Sequence, residues 1–412
     1  MITGLKAISS QQWKCLFAAQ LGWMLDAMDV MLYAFALTSI QAEFGLSSSQ
    51  AGALASSTLI ASAVGGIGFG ILADRVGRAR TLMFSILTYS LFTGLTATAG
   101  SLPELFLWRA LVGFGMGGEW SAGSVLVSET WPAEHRGKAI GFMQAGWAIG
   151  YILAAILAAI ILPALGWRVL FLMGIAPALL TLWIRRNVRE PEIWRTRSGS
   201  VVSTVVHGFS EIFHAPFLRR ALLGSAMTMA VLFAYWGLFT WMPTFLSRPL
   251  AQGGAGLGVV RSSAWIIPMQ IGAFFGYTTF GFFADRWGRR PVFAVFLVCA
   301  AILVPLYGQL AQHEWVLLLL GPLVGFFGHG YFSVFGVMLS ELFPTHLRAT
   351  AQGTVYNIGR AFSALAPYTV GALADSSGLG SALGLTSAFF LIGAALIFTL
   401  PETRGRDLHQ QN

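Results

Sequence analysis

Five charged side chains lie inside stretches of sequence that are otherwise apolar. Asp26 and Asp29 are in the first such stretch, Arg109 and Glu119 in the fourth, and Arg360 in the eleventh. A charge in hydrocarbon costs at least about 2.5–3.5 kcal/mol on insertion scales, so these residues point to function. A guanidinium can bind a carboxylate through two hydrogen bonds, and a carboxylate kept from water can take up a proton. The chemistry that these residue types predict is anion binding and proton transfer.

Arg360 is the candidate anion anchor. It lies about ten residues, and hence about 15 Å, from the end of its stretch, near the middle of a membrane. Asn357 and Tyr356 precede it by three and four positions and share its helix face. The alternative is a permanent structural ion pair between Arg360 and one of the three acidic residues. We favour the anchor because an intramembrane charge is by default a functional hypothesis.

The three acidic residues are candidates for carrying a proton. Asp26 and Asp29 are three positions apart on one helix face, and Glu119 lies at a similar depth. Arg109 is ten residues from Glu119, about 15 Å towards the outside. In one alternative Asp26 neutralises Arg109 structurally, which leaves Asp29 or Glu119 for coupling. His329 is a secondary relay candidate, although a lone histidine in a span is more often a packing residue.

Further polar and aromatic residues occur at matching depths. Tyr331 corresponds to Glu119 at a shift of 212 residues and can donate a hydrogen bond to a substrate. The predicted substrate-binding set is Arg360, Asn357, Tyr356, Tyr331, Glu119, Trp120 and Gln144. The predicted proton-coupling set is Asp29, Asp26, Glu119, Arg109 and His329. Trp147, Tyr235, Trp236 and Gln270 are additional pocket candidates, and packing is the usual role of such aromatic residues.

Twelve apolar runs must position these side chains. Hydrophobic residues make up 56% of the chain and charged residues 10%, against about 25% charged residues in soluble domains. Only helices satisfy their own backbone in such runs, and the short alternating segments of a β-barrel do not occur. The fold class predicted is therefore an all-α membrane protein with twelve transmembrane helices. The runs are 15–40, 49–73, 81–99, 103–130, 139–163, 168–185, 218–246, 259–284, 291–311, 314–342, 350–374 and 379–400.

The two halves of the chain repeat each other. Phe69–Arg80 reads FGILADRVGRAR, and 211 residues later Phe280–Arg290 reads FGFFADRWGRR. Such a duplication predicts two pseudo-symmetric six-helix bundles. We assign 1–186 to the N-terminal bundle, 187–217 to a cytoplasmic central linker, and 218–412 to the C-terminal bundle.

The repeated loop motif predicts a cytoplasmic gate. Its glycines should allow helices to approach closely, and its acidic and basic residues should form ion pairs that break as the protein changes state. The alternative is that the arginines only mark topology, but charge alone needs no fixed Gly-Asp-Arg order. The gate set is Gly70, Asp74, Arg75, Arg78, Glu129, Arg136, Gly281, Asp285, Arg286, Arg289, Glu341 and Arg348, with Glu129–Arg136 and Glu341–Arg348 as two of its pairs.

The charge distribution, the two cysteines and the missing catalytic motifs argue against other classes of function. The net charge is +8, but most basic residues lie in short loops on one side, and only Arg168, Arg248 and Arg261 fall on the other. This bias indicates an inner membrane with both termini in the cytoplasm, and not a nucleic-acid partner. Cys15 and Cys299 do not form a metal or disulfide pattern. Without HExxH, CxxC or a phosphate-binding loop, we expect neither an enzyme nor an ATP-driven pump, and no metal or cofactor.

This organisation closely resembles the major facilitator superfamily of transporters. The residues that carry the match are the motif at 70–80, its copy at 281–290, and Arg109 with Gly113 in the fourth run. The resemblance implies a secondary transporter that works by alternating access. It also implies that runs 1, 4, 7 and 10 line a central cavity, flanked by runs 2, 5, 8 and 11.

Three segments resemble the sialate/lactate:proton symporter branch: GWMLDAMD at 22–29, GGEW at 117–120 and YNIGR at 356–360. The resemblance implies proton-coupled symport of a small organic anion, such as the monocarboxylates lactate and pyruvate or a sialate-like acid. The outline is lactate-type, since sialate members have extra central spans. The ending PETRG is similar to sugar porters, so a sugar or zwitterion carrier with Arg360 in a structural pair is the alternative. We expect a monomer in a lipid bilayer, with protons as the coupling ion.

Overall fold

The computed structural model describes residues 8–192, 211–344 and 347–402. Within these ranges the chain forms helices and no strand, as the sequence predicts. The helices are α1 Ser10–Phe44, α2 Ser48–Val76, α3 Arg78–Thr96, α4 Leu102–Thr130, α5 Ala133–Met173, α6 Ala178–Asn187, α7 Leu218–Phe239, α8 Met242–Ser247, α9 Gly258–Trp287, α10 Arg289–Gln309, α11 Glu314–His329, α12 Phe332–Glu341, α13 Arg348–Ser363, α14 Ala366–Ser377 and α15 Leu379–Leu396. Most of the predicted linker 187–217 lies outside the described residues.

Several predicted runs are interrupted or joined in the structure. The seventh, tenth and eleventh runs each consist of two helices, and Pro243 and Pro367 stand in the first turn of the second helix in two of these cases. Proline suits that position because it lacks the N–H that a helix interior needs. The fifth run continues into the sixth through a kink at Gly166, where φ is 75°. By length and composition, eight of the described helical segments can cross a membrane.

The chain packs as two units. One comprises the described residues of Met1–Ile40 and Ser57–Ser198, and the other those of Gln41–Ser56 and Gly199–Asn412. Gln41–Ser56, which joins α1 to α2, packs with the second unit.

Equivalent glycines bring helices together inside each unit. A Cβ on Gly113 of α4 would lie 2.0 Å from the carbonyl oxygen of Thr58 on α2. At a shift of 212, a Cβ on Gly325 of α11 would lie 1.8 Å from the carbonyl oxygen of Met269 on α9. Only glycine permits such backbone contact, so the repeat preserves the same packing in both units.

The Gln41–Ser56 segment is held by charged side chains of the second unit. The two carboxylate oxygens of Asp375 accept hydrogen bonds from the backbone N–H groups of Ser48 (2.8 Å) and Ser49 (2.9 Å) at the start of α2. Arg248 donates to the side chains of Gln41 (3.0 Å) and Ser48 (3.4 Å). Partial burial acts to raise the pKa of Asp375, but the hydrogen bonds from Ser49 and Ser48 outweigh it and lower the pKa below its ordinary value.

We expect Asp375→Ala to lower thermal stability modestly at neutral pH. The lost cap corresponds to at most about 1 kcal/mol, because the carboxylate is largely exposed and screened. Since folding lowers this pKa, the stabilisation is complete above the ordinary aspartate value of about 3.9 and disappears as the pH falls through the folded value. Melting curves at pH 7 and pH 3.5, with Ser376→Ala as control, measure this. A difference of equal size at both pH values would contradict the assignment.

Candidate transport site

Three buried acidic side chains lie between helices of the first unit. Asp26 and Asp29 on α1 and Glu119 on α4 are each at most 1% exposed. Glu119 lies against α1 because Gly22 has no side chain there; a Cβ on Gly22 would lie 2.0 Å from Glu119 Oε1. The hydroxyl group of Tyr89 on α3 lies 3.5 Å from the carbonyl oxygen of Gly22. The structure therefore brings the three predicted proton carriers into one cluster.

The three buried carboxylates have few hydrogen-bond donors around them. Among the described residues, none donates a hydrogen bond to either oxygen of Asp29 or of Glu119. Thr93 places a hydroxyl group near Asp29, although outside hydrogen-bond geometry, and Asp26 is an electrostatic neighbour of both Asp29 and Glu119. A buried carboxylate without donors gains little that offsets the loss of water around its charge.

Arg109 lies at one end of this cluster. Its guanidinium carbon is 4.7 Å from the ring centroid of Tyr33 and 6.0 Å from that of Phe171. Asp29 is a carboxylate within its electrostatic range. A structural charge pair with Arg109 is therefore available to Asp29, in addition to the predicted alternative with Asp26. In the described structure Nε and Nη1 of Arg109 have no hydrogen-bond partner.

Arg360 lies in the second unit, 6% exposed, at the end of α13. Tyr356 is its neighbour one turn earlier. The amide of Asn357 instead donates to the carbonyl oxygen of Gly353 on its own helix, at 2.9 Å. A Cβ on Gly359 would lie 2.5 Å from Thr228, so α13 packs closely on α7. Within the second unit, no described carboxylate lies within salt-bridge distance of Arg360.

His329 and Tyr331 lie among aromatic rings of the second unit. Nδ1 of His329 is 3.1 Å from the carbonyl oxygen of Gly325, and its ring is 5.2 Å from Tyr235 and 5.9 Å from Tyr277. This is the packing role that is the predicted alternative to a proton relay. Tyr331 is fully buried against Phe293, and its hydroxyl group has no hydrogen-bond partner among the described residues.

Other predicted pocket residues are divided between packing and polar roles. Trp120 packs on the apolar cluster that includes Val127 and Met143. Gln144 is partly buried, and its Oε1 has no hydrogen-bond partner within the described chain. Gln270 on α9 is fully buried, and neither its amide nitrogen nor its amide oxygen has a hydrogen-bond partner within the described chain. Gln270 is only an additional pocket candidate in the sequence, although an amide inside an apolar run is a signal that could have identified it.

The first copy of the loop motif is built around two carboxylates. Arg78 is buried and binds Glu129 through Nε and Nη2, both at 3.0 Å, and its Nη1 donates to the carbonyl oxygen of Ala73 at 2.7 Å. Glu190 accepts hydrogen bonds from the backbone N–H groups of residues 78, 79 and 80 at the start of α3. A carboxylate at a helix N-terminus is favourable because it satisfies free N–H groups and the helix dipole.

The second copy has the same cap. Glu402 accepts hydrogen bonds from the backbone N–H groups of Arg289 (3.2 Å) and Arg290 (3.0 Å) at the start of α10. Glu190 and Glu402 are not members of the predicted gate set. Their separation of 212 residues, the same as that of the other repeated pairs, is the signal that identifies them.

The remaining gate residues give a mixed outcome. Asp285 lies near Arg289, as an ion pair in the motif requires, and Arg75 and Arg286 are exposed. The prediction that Gly70 and Gly281 allow close helix approach is wrong, since a Cβ on either would meet nothing within 4 Å. The predicted pairs Glu129–Arg136 and Glu341–Arg348 depend on side chains outside the described part of the structure. The side chains concerned are those of Arg136, Glu341 and Arg348, and the side chain of Asp74 also lies outside the described part.

Comparison with known proteins decides the family. The profile described as Major Facilitator Superfamily matches residues 21–279 and 256–411. The chain belongs to the Major Facilitator Superfamily. This major facilitator protein is also similar to the solved xylose transporter XylE from E. coli in a partially occluded inward-open conformation, with a TM-score of 0.79 and 19% identity over 97% of this chain and 100% of that one.

Curated relatives of this major facilitator protein are transporters. It is 37% identical to a probable 4-methylmuconolactone transporter of Cupriavidus pinatubonensis, over 98% of this chain and 94% of that one. It is 36% identical to a cis,cis-muconate transport protein of Acinetobacter baylyi, over 94% and 92%. It is 30% identical to a sialic acid transporter of Escherichia coli, over 93% of both chains. The protein is therefore a membrane transporter and not an enzyme, as its sequence predicts.

Two glycines at helix contacts of α1, Gly22 on α1 itself and Gly150 on α5, should behave differently when enlarged. In Gly22→Ala the new methyl group meets only the end of the flexible Glu119 side chain, so the carboxylate should move while the melting temperature changes little. In Gly150→Ala it meets the backbone oxygen of Met24 at 1.9 Å, so we expect a clear loss of stability, about 1–3 kcal/mol.

Melting curves and transport assays of both variants measure these effects. Gly22→Ala should lower transport without unfolding, and adding it to Glu119→Ala should cost nothing further. Additive losses in that double variant would contradict the contact.

Proposed function

We propose that this protein carries a small organic anion together with one or more protons by alternating access. The single observation that supports the proposal most is the burial of Arg360 near the end of α13 in a transporter. A desolvated guanidinium needs an anionic partner, and the second unit supplies no described carboxylate at that distance. A substrate carboxylate can take that place through two hydrogen bonds.

The proton would be carried by the acidic cluster of the first unit. Asp29 is the best single candidate, because it is fully buried, lacks a described donor and interacts with both Asp26 and Arg109. Protonation removes a charge whose burial is costly, and deprotonation leaves Arg109 to stabilise the anion. Loading one proton with one monovalent anion would make the transported pair neutral.

The relatives narrow the substrate class. Two proteins more than a third identical to this one are named for muconate and a methylmuconolactone, and a third is named for sialic acid. The aromatic residues Tyr235, Tyr277 and Phe332 near His329 would suit an unsaturated or ring-containing carbon skeleton. We therefore propose an unsaturated or cyclic organic acid ahead of lactate or pyruvate.

The distribution of arginines supports an inner-membrane location with both termini in the cytoplasm. In that orientation an inward proton gradient would drive uptake. A monomer would suffice, since each chain carries both candidate sites.

Uptake into proteoliposomes tests the anion site. The panel of substrates is muconate, a muconolactone, lactate, pyruvate, sialate and xylose. We expect uptake of acids under an inward proton gradient and no uptake of the sugar xylose. Arg360→Ala should raise KM at least about 30-fold, because it removes a buried charged contact worth 2 kcal/mol or more. Arg360→Lys should restore part of the affinity, while the exposed Arg261→Gln should have no effect. Uptake of xylose alone, or normal acid uptake by Arg360→Ala, would overturn the anion site.

Asp29→Asn tests the coupling. The amide cannot exchange a proton, so uphill uptake driven by a pH gradient should be lost, whereas exchange of labelled for unlabelled substrate should persist. The isosteric control is Asp375→Asn, the same change at a carboxylate outside the cluster, and it should retain uphill uptake. Undiminished accumulation by Asp29→Asn would remove this residue from the proton path.

A further inference from the structure

The second unit has an apolar groove of about 490 Å³ on its outer surface. Its walls are Phe283 and Trp287 of α9, Val295 and Phe296 of α10, and Phe326 and Phe327 of α11. Phe283 and Trp287 are stacked with ring centroids 5.5 Å apart, and Phe296 closes the floor against both phenylalanines of α11 at about 5 Å. Every lining group is apolar, so only an apolar segment of a ligand can lie there.

The groove runs along the direction of a lipid chain. Its mouth is at Trp287, the last residue of α9, at the membrane face that the arginine distribution assigns to the cytoplasm. Its inner end is at Phe326, twelve residues and about 18 Å from the opposite end of α11. In a hydrocarbon layer of about 30 Å, the groove therefore extends roughly 10 Å into one leaflet. Trp287 and Val295 are 59% and 56% exposed, so it opens sideways to the bilayer.

An exposed cation stands at the mouth. The guanidinium carbon of Arg286 is 5.7 Å from the ring centroid of Trp287, and this is its contact among the described residues. The two neighbouring arginines, Arg289 and Arg290, are less exposed than Arg286. Arg289 interacts with Asp285 and Glu402, and Arg290 donates to the carbonyl oxygen of Phe398. Arg286 is thus the group that can receive a negative charge from outside the protein.

We infer that this groove is a binding site for an anionic phospholipid of the inner leaflet. One acyl chain lies along Phe283, Phe296 and Phe327, and the phosphate group binds Arg286 beside the Trp287 ring. The uncharged walls exclude a polar ligand, and the lateral opening admits a chain directly from the bilayer. The arginine distinguishes an anionic headgroup from a zwitterionic one. The site is separate from Arg360 and from the acidic cluster, and it does not depend on the proposed substrate.

Quenching of Trp287 fluorescence by brominated lipids tests this site. The full chain is reconstituted in phosphatidylcholine with small amounts of brominated phosphatidylglycerol or brominated phosphatidylcholine. The part of the quenching that is lost in Trp287→Phe is the signal of Trp287. We expect brominated phosphatidylglycerol to reach half-maximal quenching at about a fivefold lower lipid fraction than brominated phosphatidylcholine. A factor of this size corresponds to the attraction between one arginine and an anionic lipid. Arg286→Gln should abolish the preference, and Arg261→Gln, at the other end of the same helix, should retain it.

Retention of phosphatidylglycerol by the purified protein in native mass spectrometry provides a second measurement. Wild type should keep one phosphatidylglycerol molecule at detergent concentrations that strip it from Arg286→Gln. Equal quenching by the two lipids would show an ordinary lipid boundary and overturn the site. A preference that survives Arg286→Gln in both measurements would also overturn it.

Discussion

The removal of ionisable groups from water governs this structure. Asp26, Asp29 and Glu119 are buried between helices of one unit, and Arg360 is buried in the other. No net stabilisation of the fold requires them, since burial of a charge costs more than an apolar residue of similar size in the same place. Their presence is therefore best explained by a partner that comes and goes. A proton is such a partner for a carboxylate, and an organic anion is one for a guanidinium.

The scaffold around these groups is built from small contacts that the duplication preserves. Gly113 and Gly325 allow the same backbone approach in the two units, and Glu190 and Glu402 cap the same helix start. A cap made by a residue more than a hundred positions away fixes the loop motif to the end of its own unit. The loop motif therefore has a structural role, because it holds the start of a helix against its own unit. Any role in gating has to act through the exposed arginines that the caps leave available.

The helical fold and the family could be predicted from the sequence, because long apolar runs and a repeated motif are strong local signals. The interruptions at residues 240, 330 and 364 could not be placed, because hydrophobicity continues through them and only the backbone changes. The acids at 26, 29 and 119 stood out as charges in apolar runs, but that Asp29 lies within the electrostatic range of Arg109 depends on helix rotation. Gly70 and Gly281 show the limit of motif reasoning, since repeated glycines need not mark close packing.

Comparison of the two repeats distinguishes residues that build the common helical framework from the ionisable residues of the candidate site. At the shift of 212 residues, the positions of Asp26, Asp29 and Arg109 are taken by Leu238, Trp241 and Gly321, and the position of Arg360 corresponds to Ala148. Leu238, Trp241 and Ala148 are buried as well, so the equivalent sites are packed and uncharged. The buried acidic cluster thus belongs to one unit and the buried Arg360 to the other, on a shared framework. If proton and anion are held in different units, their coupling cannot come from direct competition for one residue and must depend on the conformations that both units share.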